Sequence, residues 1–484
     1  MSDIAQPQES NRLLKGGFWA VIGRWSVKFL GLLSTLFVVR LLMPQDFGII
    51  MKLMLAMGPV GICVGIGFSE TLIRIKAPTK QHYDTAFTAN VMLSILGAIF
   101  LCLTAPLMAW IFKEPILTHL MPIMACKMLL IGFINPRRID FQREFQYITD
   151  FKYTVLNKII HIICVVGACF YFRNYYGLVV GQIGGIFGEI IISYLMIHYK
   201  PAFSFKYIKE FCDFSFPNMR AGVGEYILMN LDRLLLVRYL SNTMLGFYNL
   251  AYELAEQFTT EVIYPLARGF FPVFSALENN KEKLKQTYLS SVSFLIPLCL
   301  AVGIGLSAIA EPLILIYAGD KWLQTIDLLN ILALSAAAQA FCLVNATVLG
   351  ATGRMKHRAR LTTTNAIIST IIMLPFAING DIMSVLMAKL GVTLGFVFIN
   401  LWVVCQQLDI TPKEIMSHFT RPIIAAIVMI ITLNWINIHN PYWAFIVILM
   451  CGFISFIATQ FTLWFLSGKP KTIEHTILQK VRFL

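Results

Sequence analysis

Arg24 and Lys28 stand one helical turn apart in the apolar segment that begins near Gly16 and runs to Leu42, and the spacing continues through Gly31 and Thr35 as a small or polar stripe. A cation near the centre of a bilayer costs roughly 2.5–3.5 kcal/mol on insertion scales, so such a pair must face protein or a water-filled cavity. Its chemistry is that of an anion site. Lys52, in the next apolar segment, is followed at helical spacing by Ala56, Pro59 and Cys63. It is a further cavity-facing cation that could also snorkel outward, and the Gly58–Pro59 pair is expected to weaken or kink its helix. Acids enter later in the chain. Asn218, Glu225, Asp232 and Tyr239 recur every seven residues, which keeps them near one face of a helix. Glu253, Glu256, Gln257, Thr260, Glu261, Tyr264 and Arg268 form a continuous polar face in the following segment, and Lys389 lies inside a later one. The polar members of these rows are expected to line a hydrated cavity shared by both halves of the chain, with the carboxylates pairing with cations or carrying H⁺ or Na⁺.

Simpler roles stand beside these. Arg40, Arg220, Arg238 and Arg268 lie close enough to segment ends to snorkel, and the acids also suit static interhelical ion pairs. His161 reads as a hydrogen-bonded packing histidine, and Gly181, Gly184, Gly185 and Gly188 as a small-residue packing face with no substrate role. The ten cysteines are scattered, with no C-x-x-C pair and no histidine cluster, so neither a disulfide framework nor a metal site is indicated. They read as small apolar packing residues. There is no P-loop, no H-E-x-x-H motif and no nucleotide-binding domain, which argues against ATP-driven transport by this chain alone.

The elements that must carry these side chains are membrane helices. Of 484 residues, 57% are hydrophobic and 13% charged, and the mean hydropathy is +0.71. Such a chain needs lipid as its solvent. Apolar stretches long enough to cross a hydrocarbon layer of roughly 30 Å occupy 17–42, 47–72, 84–112, 115–135, 151–172, 175–199, 214–240, 245–273, 287–312, 325–350, 357–379, 381–407, 420–438 and 441–466. The expectation is an all-α polytopic protein of about fourteen transmembrane helices, with an uncleaved first helix. Of the 39 Lys and Arg, 25 fall in the tails and alternate loops or at the segment ends that adjoin them, and three in the other loops. By the positive-inside rule both termini are cytoplasmic, and the net charge of +13 reads as a topology signal and not as a nucleic-acid surface.

An internal repeat organises the bundle. Val39-Arg40-Leu41-Leu42 with Phe47-Gly48-Ile49 matches Val237-Arg238-Tyr239-Leu240 with Leu245-Gly246-Phe247 at a constant offset of 198 residues. Two six-helix lobes follow, over 1–200 and 201–407, with two added helices and a tail over 408–484. Six is even, so the lobes share one orientation, an arrangement common in transporters that rock one half against the other.

The residues now resemble a known family, the polysaccharide transporter or Wzx-type oligosaccharide flippases of the multidrug/oligosaccharidyl-lipid/polysaccharide exporter superfamily. The resemblance rests on Arg40-Leu41-Leu42-Met43-Pro44-Gln45-Asp46-Phe47-Gly48, on Gly67-Phe68-Ser69-Glu70-Thr71-Leu72-Ile73-Arg74 and on Asn230-Leu231-Asp232-Arg233. It also rests on Leu245-Gly246-Phe247-Tyr248-Asn249-Leu250-Ala251 and Phe271-Pro272-Val273-Phe274-Ser275. It looks closest to the exopolysaccharide, colanic-acid-like branch.

The resemblance implies a V-shaped pair of lobes, alternating access, and movement of a polyprenyl-pyrophosphate-linked oligosaccharide from the cytoplasmic to the periplasmic leaflet of a bacterial inner membrane. It implies no enzyme activity, no cofactor beyond a coupling ion, and polysaccharide polymerase or export machinery as partners. Related lipid II flippases place basic residues around the pyrophosphate on the first, second and eighth helices, to which Arg24, Lys28, Lys52 and Arg268 correspond by position. Two of these are Lys, which binds phosphate as a point charge and not bidentately. The rival functions are a cation-coupled multidrug exporter of the same superfamily and a membrane glycosyltransferase or polymerase. Fourteen helices and a basic first lobe disfavour the former, and the lack of a sizeable extracytoplasmic loop disfavours the latter.

Overall fold

The computed structural model describes residues 7–66, 68–75, 77–436 and 438–467, with side chains from Ile22 onward except those of Ile66, Ser69, Glu70, Thr260, Glu261 and Arg268. Every regular element among the described residues is a helix. Eleven helices are long and apolar enough to cross a membrane, and one bent pair raises the number to twelve. The chain is a multi-pass membrane protein. Its contacts divide it into two compact units that meet between Arg238 and Tyr239.

The first unit begins with α1 (Pro7–Leu41), α2 (Pro44–Ile66), α3 (Ser69–Arg74), α4 (Lys80–Ile111) and α5 (Leu117–Ile131). A 3-10 turn, Pro136–Ile139, leads into α6 (Asp140–Arg143), and this short piece turns 67° from α5. Then come α7 (Tyr147–Phe172), α8 (Tyr175–Met196), α9 (Ile208–Met229) and α10 (Leu231–Tyr239). The glycine face of α8 allows α7 to approach closely: a β-carbon on Gly181 would stand 2.5 Å from the Val165 Cα, and one on Gly177 2.6 Å from the Cys169 Cα. In lipid, where apolar surface gives helices no reason to associate, such small-residue seams supply the packing. The α1–α2 turn is tied by Asp46, whose carboxylate accepts from the Met43 and Tyr175 backbone N–H groups at 3.0 and 3.2 Å.

The strand-like connection after α8 is stitched to the first turns of α4. Asp84 accepts from the Tyr199 hydroxyl at 2.6 Å and the Ala202 N–H, and Thr88 accepts from the Ser204 N–H. Burial and the Asp84 carboxylate together push the Tyr199 hydroxyl pKa upward. Phe211 and Met219 of α9 then join a core with Phe68, Leu72, Tyr83 and Ala86. The seventh segment therefore packs within the first unit, and the packing boundary falls later than residue 200. A repeat boundary marks where the pattern restarts, whereas a packing boundary marks where contacts thin out.

The second unit holds α11 (Asn242–Ala276), α12 (Lys281–Ala308), α13 (Ala310–Tyr317), α14 (Thr325–Ala351), α15 (Met355–Ile378), α16 (Ile382–Leu408), α17 (Pro412–Asn434) and α18 (Pro441–Leu466). Its core is built on α14, which packs against α11, α12 and α16. In it the buried Tyr288 hydroxyl donates to the Asn345 side chain at 2.7 Å. The pair α17 and α18 packs on α12 and α13. Trp435, 86% exposed, and Trp443 flank the turn between α17 and α18, where amphipathic rings favour the membrane–water interface.

Three expectations about elements change. The stretch 47–72 is not one helix, because α2 ends at Ile66 and α3 follows. The stretch 214–240 is broken at Asn230, whose backbone N–H and side-chain amide both donate to the Tyr226 carbonyl at the end of α9. The seventh and eighth expected spans, now α9 with α10 and α11, are helical but too rich in Asp, Glu, Arg and other polar residues to be counted as spans by length and apolarity.

Candidate functional site

Arg24 and Lys28 are both exposed on α1, one turn apart as the sequence requires. Gly31 lies one further turn along, and a β-carbon there would stand 3.7 Å from both Cε and Nζ of Lys158 on α7. The packing of α1 on α7 thus brings a third cation beside the Arg24–Lys28 row. Lys158 is one of several basic residues inside the expected spans. What singles it out is the closeness of two helices at Gly31, which a linear pattern does not display.

Further into the unit, Lys127 of α5 donates to Gln182 of α8 at 2.7 Å. His161 lies within electrostatic reach of Lys158, Lys127 and Glu189, and its ring fills the space above Gly185, where a β-carbon would stand 2.3 Å from Cδ2. Glu189 of α8 accepts from Arg138 at 3.2 Å and from the Tyr153 hydroxyl at 3.1 Å.

Lys52 has a different setting. It is buried and pairs with Glu114 at 3.0 Å, their side chains only 5% and 14% exposed. Its charge is compensated inside the first unit, where it ties α2 to the turn after α4. Glu114 falls between the expected spans 84–112 and 115–135, where the sequence gives no sign that its carboxylate folds inward. Gly58 also has a packing role. The Tyr226 ring occupies the place its side chain would take, with a β-carbon 2.0 Å from Cζ, and the Tyr226 hydroxyl donates to the Leu55 carbonyl at 3.4 Å. Leu55 is four residues before Pro59, whose missing N–H would otherwise have bonded that carbonyl.

The acids are less gathered than the seven-residue spacing suggests. Asn218, half-buried, and Glu225, exposed, belong to α9, whereas Asp232 belongs to α10 beyond the break. Asp232 accepts from the Arg233 N–H at 2.9 Å, and Arg233 donates to Asn230 at 3.2 Å. Arg238 donates to the Ile111 carbonyl at the end of α4 and lies over the Trp110 ring at 5.6 Å, so its charge meets the negative end of a helix dipole. In the second unit Glu253 and Glu256 are exposed on α11, and Gln257 and Tyr264 half-buried. Lys389 of α16 lies over the Tyr252 ring at 5.2 Å. The side chains of Thr260, Glu261 and Arg268 lie outside the described residues.

Comparison with known proteins identifies the family. Residues 37–327 match the family model described as polysaccharide biosynthesis protein. The teichuronic acid biosynthesis protein TuaB of Bacillus subtilis (strain 168) is 23% identical over 297 residues, 60% of this chain and 62% of that protein; the match spans less than two thirds of that relative's length. The lipopolysaccharide biosynthesis protein WzxC of Escherichia coli (strain K12) is 21% identical over 81% of this chain and 79% of its own, which supports the colanic-acid-like branch only distantly. Among solved structures, the lipid II flippase MurJ in an inward closed conformation superposes with a TM-score of 0.70 at 15% identity, covering 92% of this chain and 98% of that one, a likeness of fold. The chain therefore belongs to the polysaccharide biosynthesis protein family, Wzx-type transporters of the multidrug/oligosaccharidyl-lipid/polysaccharide exporter superfamily, and is a transporter and not an enzyme.

Proposed function

We propose that this chain flips a polyprenyl-pyrophosphate-linked oligosaccharide from the cytoplasmic to the periplasmic leaflet of a bacterial inner membrane by alternating access, supplying exopolysaccharide or lipopolysaccharide assembly. The observation that carries the reading is the cationic row on α1: Arg24 and Lys28 exposed one turn apart, with Lys158 against Gly31 of the same helix. Cations retained in apolar helices against a cost of roughly 2.5–3.5 kcal/mol each suit the doubly charged linkage between lipid and sugar. The relatives named for teichuronic acid and lipopolysaccharide biosynthesis support a cell-surface glycan as cargo. Arg24 and Lys28 bind the pyrophosphate, with Arg268 as a further ligand, while Lys52 serves chiefly to hold α2 through Glu114.

Fourteen spans belong to this proposal, with α9–α10 and α11 crossing the membrane as the seventh and eighth, two six-helix lobes over 1–200 and 201–407, and both termini cytoplasmic. Burial supports the repeat: Val38, Val39, Leu42 and Phe47 are buried, and so are their counterparts 198 residues on, Leu236, Val237, Leu240 and Leu245. Glu225, Asp232, Glu253, Glu256 and Glu261 serve ion coupling or gating with H⁺ or Na⁺, and Asn218, Gln257, Thr260, Tyr264 and Lys389 line the cargo path. A polysaccharide polymerase is the expected partner.

The test is translocation of a lipid-linked oligosaccharide in liposomes. Arg24→Ala and Lys28→Ala should each slow it by roughly ten- to a hundredfold, the loss of one charge-assisted hydrogen bond of about 1.5–3 kcal/mol. Unchanged transport at equal protein levels would refute the assignment. Transport indifferent to ion gradients would refute the coupling role of the acids.

A further inference from the structure

A cavity of about 590 Å³ lies wholly within the second unit, walled by α12, α14, α16 and α17. Cys299, Gly303 and Ala338 line it beside Leu394, Phe398 and Phe419, and none of its lining residues carries a charge or an amide or hydroxyl side chain. Water in a buried site needs two to four polar partners, so water does not fill this space, and neither does a sugar or an ion. Three lining residues, Phe398, Trp402 and Met416, are more than half exposed, so the cavity opens sideways toward hydrocarbon. Its occupant must come from the membrane.

Size and position narrow the choice. Along α16 the lining runs from Leu390 to Cys405, about 22 Å at 1.5 Å per residue, more than half of a roughly 30 Å hydrocarbon layer, which suits one extended chain entering from one side. A groove of this length takes one fatty acyl chain and only part of the much longer polyprenyl carrier. The loop end of the groove carries charges of both signs, Lys281 pairing with Asp409 and Lys285 with Glu414, and Lys413 is the cation there with no ion pair among the described residues. Pro412 lines it and is followed by the exposed Lys413, while Lys285, on the same face of α12 as the lining residues, bonds Glu414 at 2.9 Å. Basic residues at the mouth of an interhelical groove recruit anionic head groups.

We propose that this groove is a binding site for an anionic membrane phospholipid, which lays one acyl chain between α16 and α17 and sets its phosphate beside Lys413. The chain completes the packing of the α17–α18 pair on the rest of the unit, filling space that side chains leave open.

Two measurements test it. In liposomes of phosphatidylglycerol with a photoactivatable acyl chain, the unaltered protein should be labelled chiefly on peptides containing 394–405 and 412–423. Label spread evenly over the exposed helices, such as α15, would overturn the proposal. So would label at those peptides from a photoactivatable polyprenyl phosphate but not from the phospholipid. In native mass spectrometry one phosphatidylglycerol should remain on each chain. Ala338→Phe, which fills the groove, should lower retention about tenfold, the effect of losing a couple of buried methylenes. Leu96→Phe on the exposed face of α4 should leave it unchanged, and Lys413→Glu should abolish the preference over phosphatidylethanolamine. A folded Ala338→Phe variant that retains the lipid, or no retained lipid in the unaltered protein, would sink the idea.

Discussion

Tyr226 illustrates how single side chains repair the consequences of their neighbours. Pro59 deprives the Leu55 carbonyl of its helical donor, Gly58 clears the space, and the Tyr226 hydroxyl enters it and donates to that carbonyl. Tyr226→Phe should cost about 1 kcal/mol through the orphaned carbonyl. Gly58→Ala should cost about 1–3 kcal/mol by overpacking, and combining it with Tyr226→Ala should relieve the clash, all read by thermal melting in detergent. Lys52 and Glu114 set a second expectation. Removing one partner of so buried a pair leaves an uncompensated charge, so Lys52→Met or Glu114→Leu alone should destabilise by about 3–5 kcal/mol, whereas the double substitution should come close to neutral. The two single losses, if additive in the double variant, would show that the charges do not depend on each other. Lys52 was recognisable as an intramembrane cation from its position. That its partner is Glu114, 62 residues away, was not, because pairing across helices depends on how a turn folds back.

At the scale of elements, the α7–α8 seam and the helix caps carry the sharpest consequences. Gly181→Ala would push a methyl group against the Val165 backbone, which cannot turn aside as a side chain can. It should lower the melting temperature more than Gly184→Ala, which meets only the Cys164 side chain at 3.3 Å. Asp381 caps α16, accepting from the backbone N–H and hydroxyl of Ser384. These bonds hold its carboxyl below the usual range. A depressed folded-state pKa stabilises above the unfolded value, near 4 for aspartate, and that contribution is lost as pH falls through the lowered folded value. The melting temperature should therefore drop on acidification below about pH 4, and Asp381→Asn should flatten that part of the profile.

For the whole molecule, charge asymmetry predicts that a reporter fused after the last helix reports a cytoplasmic C-terminus. A periplasmic reading would remove the fourteen-span topology together with the direction of transport. Hydropathy and period established much by themselves: an all-α membrane protein, the place of nearly every helix though not its ends, as at α1 and α17, the glycine seam of α8, and the Arg24–Lys28 row. These follow from neighbours along the chain, since lipid demands continuous apolar segments and a helix fixes which residues share a face. Only tertiary structure decided that Lys158 joins α1 at Gly31, that Lys52 is paired with Glu114, that the seventh segment breaks at Asn230 and packs with the first unit, and that four helices leave an apolar groove open. Each of these depends on distances between segments far apart in sequence, which helix packing sets and local pattern does not encode.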